Sequence, residues 1–136
     1  MAHIPKIYLL DVTNRDGVQT SRICLSKLQK TMINWYLDQM GVFQSEFGFP
    51  LTRHETNYLN ANLELVKLGG FSKIRLSGWL RATKEDVKTA FKLVPHLKYL
   101  NLSISTSDQM IIHKFKGKLD HQSVIQEMEE AVKEAL

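Results

Sequence analysis

The stretch Asp11-Val12-Thr13-Asn14-Arg15-Asp16-Gly17-Val18-Gln19 holds the residues best suited to chemistry in this sequence. Arg15 beside Asp16 suits reaction at a carbonyl. The Asp16 carboxylate is a hard oxygen ligand for a divalent cation. The Arg15 guanidinium stays charged and can stabilise a developing enolate or alkoxide oxygen. Gly17 allows a sharp backbone turn beside them. The competing reading is an ordinary polar turn with a local Arg–Asp contact, because Arg-Asp-Gly suits loops in general.

Strand-like and helix-like segments alternate around this stretch. Ile7 to Thr13 is apolar and rich in β-formers, as in a strand buried on both faces. Leu25 to Met40 places Leu25, Leu28, Met32, Trp35 and Tyr36 at helical spacing, which predicts an apolar stripe. Ser26 and Gln29 predict a capping box at its start, and Gly41 a left-handed stop at its end. Val42 to Phe47 reads as a second strand, closed by Gly48-Phe49-Pro50. Thr52 to Glu55 reads as a second capping box, followed by Leu59, Leu63 and Val66 on a helix ending at Gly69-Gly70. Lys73 to Ser77 predicts a short third strand. Thr83 opens a helix carrying Val87, Ala90, Phe91 and Val94, with Pro95 as its stop. Tyr99 to Ile104 is the fourth strand. A last helix from about Asp120 carries Ile125, Met128, Val132 and Ala135 as its apolar stripe.

Four β-then-α units without a hairpin signal predict parallel strands joined by right-handed crossovers. The expected fold is therefore α/β, with four consecutive parallel βα units. Four is half of the eight that close a barrel, and such barrels run to about 250 residues. An open doubly wound sheet shares the pattern. Both architectures place functional residues at the carboxyl ends of the strands, where the Asp11–Gln19 stretch falls.

The 136 residues, 43% hydrophobic and 24% charged, fit one soluble globular domain over residues 1–136. The apolar run Ile7 to Leu10 is too short to span a bilayer, and the start of the chain does not read as a secretory leader. The single cysteine, Cys24, agrees with a reducing cytosol, so a cytoplasmic protein is expected. The net charge of +4 could attract nucleic acid or a phosphorylated or carboxylate substrate. The chain carries no recognisable nucleic-acid motif, and scattered solvated lysines are the expectation. Neither nucleic acid nor a membrane is an expected partner.

Asp11 to Gln19 resembles the D-x-T-x-R-D-G-x-Q signature of the DRE-TIM metallolyase family, which includes homocitrate synthase, isopropylmalate synthase, Re-type citrate synthase and hydroxymethylglutaryl-CoA lyase. Two further blocks fall in the family's order. Glu46-Phe47-Gly48-Phe49-Pro50 is similar to its E-x-G-x-P segment, and Ser105-Thr106-Ser107-Asp108 with the later Lys114 is similar to its T-S-D segment and lysine. The resemblance spans essentially the whole chain and implies the amino-terminal half of a TIM (β/α)8 barrel. It also implies an acyltransferase of amino-acid biosynthesis, condensing acetyl-CoA with a 2-oxo acid at a divalent metal ion (Mg, Mn or Zn). Asp16 would be the metal ligand. Arg15 would polarise the reacting carbonyl and stabilise the enolate, with Glu46 near the acyl group. Gln19 would orient the 2-oxo acid or a metal-bound water. Ser105 and Thr106 are candidate substrate contacts, although hydroxyls there, Ser107 included, equally suit caps and turns.

The family pattern also has a His-x-His pair on its seventh strand. The histidines here are His3, His54, His96, His113 and His121, and no two are separated by one residue. Catalysis is therefore not expected from this chain alone. A substrate with a second carboxylate needs a nearby cation, for which Arg75 is the candidate and Arg81 the other. The fourth strand offers Asn101, Ser103 and Ser105, suited to polar, uncharged contact. A carbon–carbon lyase running through the same enolate is the enzymatic alternative. The other alternative is a non-catalytic assembly module, a truncated piece or one subunit of a split enzyme. A half-barrel would expose strand edges and an apolar inner face, and would pair with a carboxy-terminal half-barrel or with a second copy.

Overall fold

The computed structural model describes residues 5–136, so His3 lies outside the described residues. The elements are β1 (Leu10–Asp11), a 3-10 turn (Gly17–Gln19), α1 (Lys27–Met40), β2 (Gln44–Gly48), α2 (Arg53–Lys67), β3 (Arg75–Arg81), α3 (Lys84–Leu93), β4 (Tyr99–Ser103), α4 (Asp108–His113) and α5 (His121–Ala135). All neighbouring strands are parallel, and their order in the sheet is β1-β2-β3-β4. A doubly wound sheet reverses its strand order at a switch point. The sequential order here winds one way only, as in four units of a TIM barrel. Among the described residues no helix is long and apolar enough to cross a membrane.

Alternation along the strands sorts the side chains. Phe47, Leu76 and Leu80 face the helices and pack with Tyr58, Leu59 and Leu63 of α2, or Val87 and Ala90 of α3. The opposite face carries Gln44, Glu46, Ser77 and Asn101, and it is polar rather than apolar as expected. Gln44 Nε2 donates to Ser77 Oγ and Asn101 Oδ1, each at 3.0 Å, so one hydrogen-bonded layer crosses β2, β3 and β4.

The capping chemistry of α1 is as its sequence predicts. The Ser26 hydroxyl accepts from Gln29 N, the Gln29 side chain accepts from Ser26 N, and Gly41 ends the helix at φ 74°. The buried face of α1 is the reverse of the expectation. Lys30, Asn34 and Asp38 are buried, while Leu28, Met32, Trp35, Tyr36 and Met40 are exposed. The polar residues are buried because each finds partners. Asp38 Oδ1 accepts the backbone N–H groups of Ser72, Lys73 and Ile74 at 2.7 to 3.0 Å, fixing the entry to β3. Burial pushes the Asp38 carboxyl up, but those donors and the Lys73 charge outweigh it and hold it below its ordinary value.

Other boundaries also depart from expectation. β1 is short and Ile7 to Leu10 are exposed, because this strand is the sheet edge with one neighbour. The second capping box does not form: Thr52 makes no side-chain cap at α2, and the Glu55 carboxylate, which would accept from the Thr52 N–H, accepts from Lys30 Nζ at 2.8 Å instead. β3 begins and ends later than expected, running on through Gly78, Trp79 and Leu80 to Arg81. The stripe on α5 is rotated, with Val124 and Ala131 buried while Ile125 and Val132 are exposed.

Candidate active site

The loop after β1 is tied to itself and to the helices before it presents any side chain. The N–H groups of Arg15, Asp16 and Gly17 all point at the Val12 carbonyl, at 2.8 to 3.2 Å. Asp11 accepts from Thr13 N and Thr13 Oγ1, each at 3.0 Å, closing the first turn of the loop. Asn14 is the anchor. It is fully buried, and its Nδ2 donates to the Lys30 carbonyl at 2.9 Å and to Asn34 Oδ1 at 2.8 Å. Asn34 in turn donates to Tyr58 Oη and Asn62 Oδ1 and accepts from Ser45 Oγ. A buried polar lattice thus joins the loop to α1, α2 and β2. Burial there pushes the Tyr58 phenol well above its ordinary range, so it stays neutral.

Gly17 is not needed for its conformational freedom. Its φ is not positive, and a Cβ there would meet Thr13 at an ordinary 3.6 Å. Gly48 is the sterically demanding glycine. A Cβ would lie 2.6 Å from Glu55 Oε2 and 2.9 Å from Leu59 Cδ2. The register of β2 against β3 slips between Glu46 and Gly48, so Glu46 pairs with Ser77 and Gly48 with Gly78. Irregularities of this kind re-aim side chains at strand ends.

Arg15 reaches over the carboxyl rim of the sheet. Its Nε donates to Glu46 Oε2 and its Nη1 to Asp16 Oδ1, each at 2.9 Å, and the guanidinium lies 4.5 Å from the centre of the Trp79 ring. Glu46 is buried, and its other oxygen accepts from Asn101 Nδ2 at 2.7 Å. Arg15 side-chain exposure is 17% and that of Asp16 is 57%, so a cation is held in place while one of its carboxylate partners remains open to solution. Such an arrangement offers fixed N–H donors to an oxygen that gains negative charge.

The structure brings Arg15, Asp16 and Glu46 together and adds two residues not selected from sequence as site residues, Trp79 and Asn101. Asn101 was legible as a polar strand residue. Trp79 carried no signal, since the third strand was expected to stop at Ser77. Gln19 sits in the 3-10 turn beside Arg15 and lines a cleft with Arg15, Lys30 and Glu55. Ser105 and Thr106 follow β4 at the same rim, where Ser105 Oγ accepts from Lys114 Nζ at 2.9 Å, and Ser107 caps α4. Arg75 is not brought into the group. It opens β3 at the amino end of the sheet, with its guanidinium 4.4 Å from the Phe43 ring centre and 5.2 Å from that of Tyr99. Arg81 is at the carboxyl end of β3 but is engaged twice by Asp86, at 2.6 and 2.8 Å.

Among the described residues no group of three or more His, Cys, Asp or Glu side chains could hold a metal ion. Asp16 offers one exposed carboxylate, and ligand number sets the affinity of a divalent cation. The donors of this chain alone do not fit one.

The HMGL-like family model matches residues 6–136. The chain is 59% identical over 130 residues to citrate (Re)-synthase of Dehalococcoides mccartyi (strain CBDB1), covering 96% of this chain and 31% of that protein. It is 34% identical over 127 residues to 2-isopropylmalate synthase 2 of Caldanaerobacter subterraneus subsp. tengcongensis, covering 93% and 31%. To homocitrate synthase AksA of Methanocaldococcus jannaschii it is 31% identical over 114 residues, covering 82% and 26%. The chain thus spans less than a third of the length of each of these relatives.

Proposed function

Because this chain belongs to the HMGL-like family, we propose that it supplies the first four βα units of a cytoplasmic barrel enzyme that condenses acetyl-CoA with a 2-oxo acid. The observation that carries the reading is the Arg15 guanidinium, fixed at the carboxyl rim by Glu46 and Asp16 over Trp79. In the condensation, the acetyl methyl group loses a proton and the resulting enolate carbon attacks the carbonyl of the 2-oxo acid. The alkoxide so formed takes up a proton. Water then cleaves the thioester, releasing free coenzyme A and a 2-hydroxy acid with one added carboxymethyl group.

Arg15 stabilises the oxygen that becomes negative. A guanidinium has five N–H donors, and the bonds to Glu46 and Asp16 engage its Nε and Nη1. Donors remain for the substrate oxygen, and the ring of Trp79 keeps water from one face. Glu46, held at both oxygens, orients Arg15 and balances its charge. Gln19, Ser105 and Thr106 are proposed as polar substrate contacts on the same rim. Asp16 is proposed as one ligand of a divalent cation whose other donors come from outside this chain.

The higher identity to a citrate-forming relative, 59% against 34% and 31%, favours oxaloacetate as the 2-oxo acid. The test is thiol release from acetyl-CoA by the chain joined with the polypeptide that completes its barrel. Release that depends on oxaloacetate, and not on 2-oxoisovalerate, is expected. Release that is independent of any 2-oxo acid, or cleavage of a hydroxyacyl-CoA in its place, would overturn the reading.

The exposed apolar residues leading into β1 and on α1 favour a second statement about assembly. Ile7 is 80% exposed, Leu28 71% and Met40 76%. We propose that this flank docks on the remainder of the barrel, or on a second copy when that remainder is missing.

A further inference from the structure

Beside the Arg15, Asp16 and Glu46 group lies a second shielded ion pair, which the chemistry above does not use. Lys30 Nζ donates to Glu55 Oε2 at 2.8 Å, with side-chain exposures of 6% and 20%. Lys30 also lies 4.5 Å from the centre of the Tyr58 ring. A buried ammonium needs a counter-charge, because removal from water disfavours its charged form. Glu55 supplies that charge from the first turn of α2, so the pair ties α1 to α2 directly beneath the β1 loop.

Both ends of the Arg15–Glu46 contact rest on this pair. On the Arg15 side, the Lys30 carbonyl accepts from Asn14 Nδ2 at 2.9 Å, which fixes the residue before Arg15. On the Glu46 side, the Glu55 carboxylate fills the space that a side chain at position 48 would take. A Cβ on Gly48 would lie 2.6 Å from Glu55 Oε2, the oxygen that binds Lys30. The end of β2 therefore closes on the carboxylate. The register of β2 slips between Glu46 and Gly48, and Phe47 between them is fully buried, its ring 6.0 Å from that of Tyr58. Such slips re-aim neighbouring side chains. Glu46 leaves this one with its carboxylate between Arg15 Nε and Asn101 Nδ2. Arg15, Lys30, Gly48 and Glu55 line one cleft of about 160 Å³.

We propose that Lys30 and Glu55 are positioning residues for Arg15. Their ion pair, seated against Gly48, sets the spacing between the Asn14–Arg15 backbone and the end of β2 at which Glu46 meets the guanidinium. Neither side chain touches substrate. The effect on turnover rests on the condensation reading above. The placement of Arg15 can be read without turnover, so the two fail separately.

The experiment measures solvent exchange of the Arg15 Nε–H in the chain by nitrogen-15 NMR, the signal being identified by its loss in Arg15→Lys. An N–H held by a shielded carboxylate exchanges slowly, and slow exchange is expected in the native chain. Lys30→Met fills the same space without leaving an unpaired ammonium, and about tenfold faster exchange is expected. Glu55→Gln keeps an acceptor at the same reach and is expected to retain most of the protection. In the completed enzyme, Lys30→Met is expected to lower kcat by about tenfold, with KM for acetyl-CoA changed less than about twofold. Gly48→Ala pushes the carboxylate off Lys30, so adding it to Lys30→Met is expected to cost less than about threefold more. Unchanged exchange and kcat in Lys30→Met, even with a lowered melting temperature, would overturn the proposal. So would a raised KM at constant kcat in Glu55→Gln, which would make Glu55 a substrate contact. Losses that multiply in Gly48→Ala/Lys30→Met would also overturn it, because Gly48 would then act through Leu59, whose Cδ2 lies 2.9 Å from the same Cβ. A protected Arg15 Nε–H in a completed enzyme that releases no thiol would remove the condensation reading and leave the positioning in place.

Discussion

Glu46 accepts the Nε–H of Arg15 at 2.9 Å while its second oxygen accepts from Asn101, so the carboxylate joins the β1 loop to β4 across the inner face of the sheet. The pair is shielded, with side-chain exposures of 17% and 6%. Its geometry is directional, since a guanidinium presents fixed, planar donors and an ammonium does not. Arg15→Lys should therefore lower kcat of the completed enzyme by about a hundredfold, the usual scale for losing one placed oxyanion donor. KM for acetyl-CoA should change only a few-fold. Steady-state kinetics check this, and an unchanged kcat would remove Arg15 from the chemistry.

The lattice around Asn34 should be worth more to stability than its polar character suggests. Asn34→Ala leaves Asn14, Ser45, Tyr58 and Asn62 each short of a buried partner. A loss of about 3 kcal/mol is expected from stranded polar groups of this kind. Urea unfolding measures it, and a change below about 1 kcal/mol would mean that the lattice does not hold the loop.

Asp38 should make the fold acid-sensitive in a defined direction. Its carboxyl is held below the ordinary 3.8. A group whose folded pKa is depressed contributes fully above its unfolded pKa, and the contribution is lost as pH falls through the folded value. Asp38→Asn should accordingly be less stable than the native chain at pH 7, with the gap closing below about pH 4. Urea midpoints for both proteins across that range decide it. A gap independent of pH would show that the charge contributes nothing.

The alternation of strands and helices was legible because each unit carries its own period and punctuation, as at Ser26, Gln29 and Gly41. The motif was legible because Arg15 and Asp16 are adjacent in sequence. The failures have physical causes. Gly78 reads as a strand breaker, yet it stays in β3 where a Cβ would press on Leu97 and Pro50 at 3.0 Å. Ending β3 early put Arg75 near the rim and hid Trp79, when Arg75 begins the strand and Trp79 reaches Arg15. On α1, hydropathy marks the apolar stripe as the buried one. The buried stripe is Lys30, Asn34 and Asp38, because partners from the loop, α2 and the entry to β3 meet them there, which a one-helix pattern cannot reveal.

The exposed flank should govern association. Leu28→Glu with Met40→Glu places charge on side chains that are 71% and 76% exposed, so folding should change by less than about 0.5 kcal/mol. Self-association of the native chain, measured by light scattering after size exclusion, should be abolished in the variant. A native chain that stays monomeric at high concentration would contradict the docking proposal.

The most direct test is a double-mutant cycle on Arg15→Lys and Glu46→Gln in the completed enzyme, read as oxaloacetate-dependent thiol release from acetyl-CoA. If the two side chains act as one unit, the double variant should be no slower than the slower single variant, with a coupling of about 1 to 3 kcal/mol. Losses that simply multiply, or an enzyme that releases no thiol with any 2-oxo acid, would contradict the assignment.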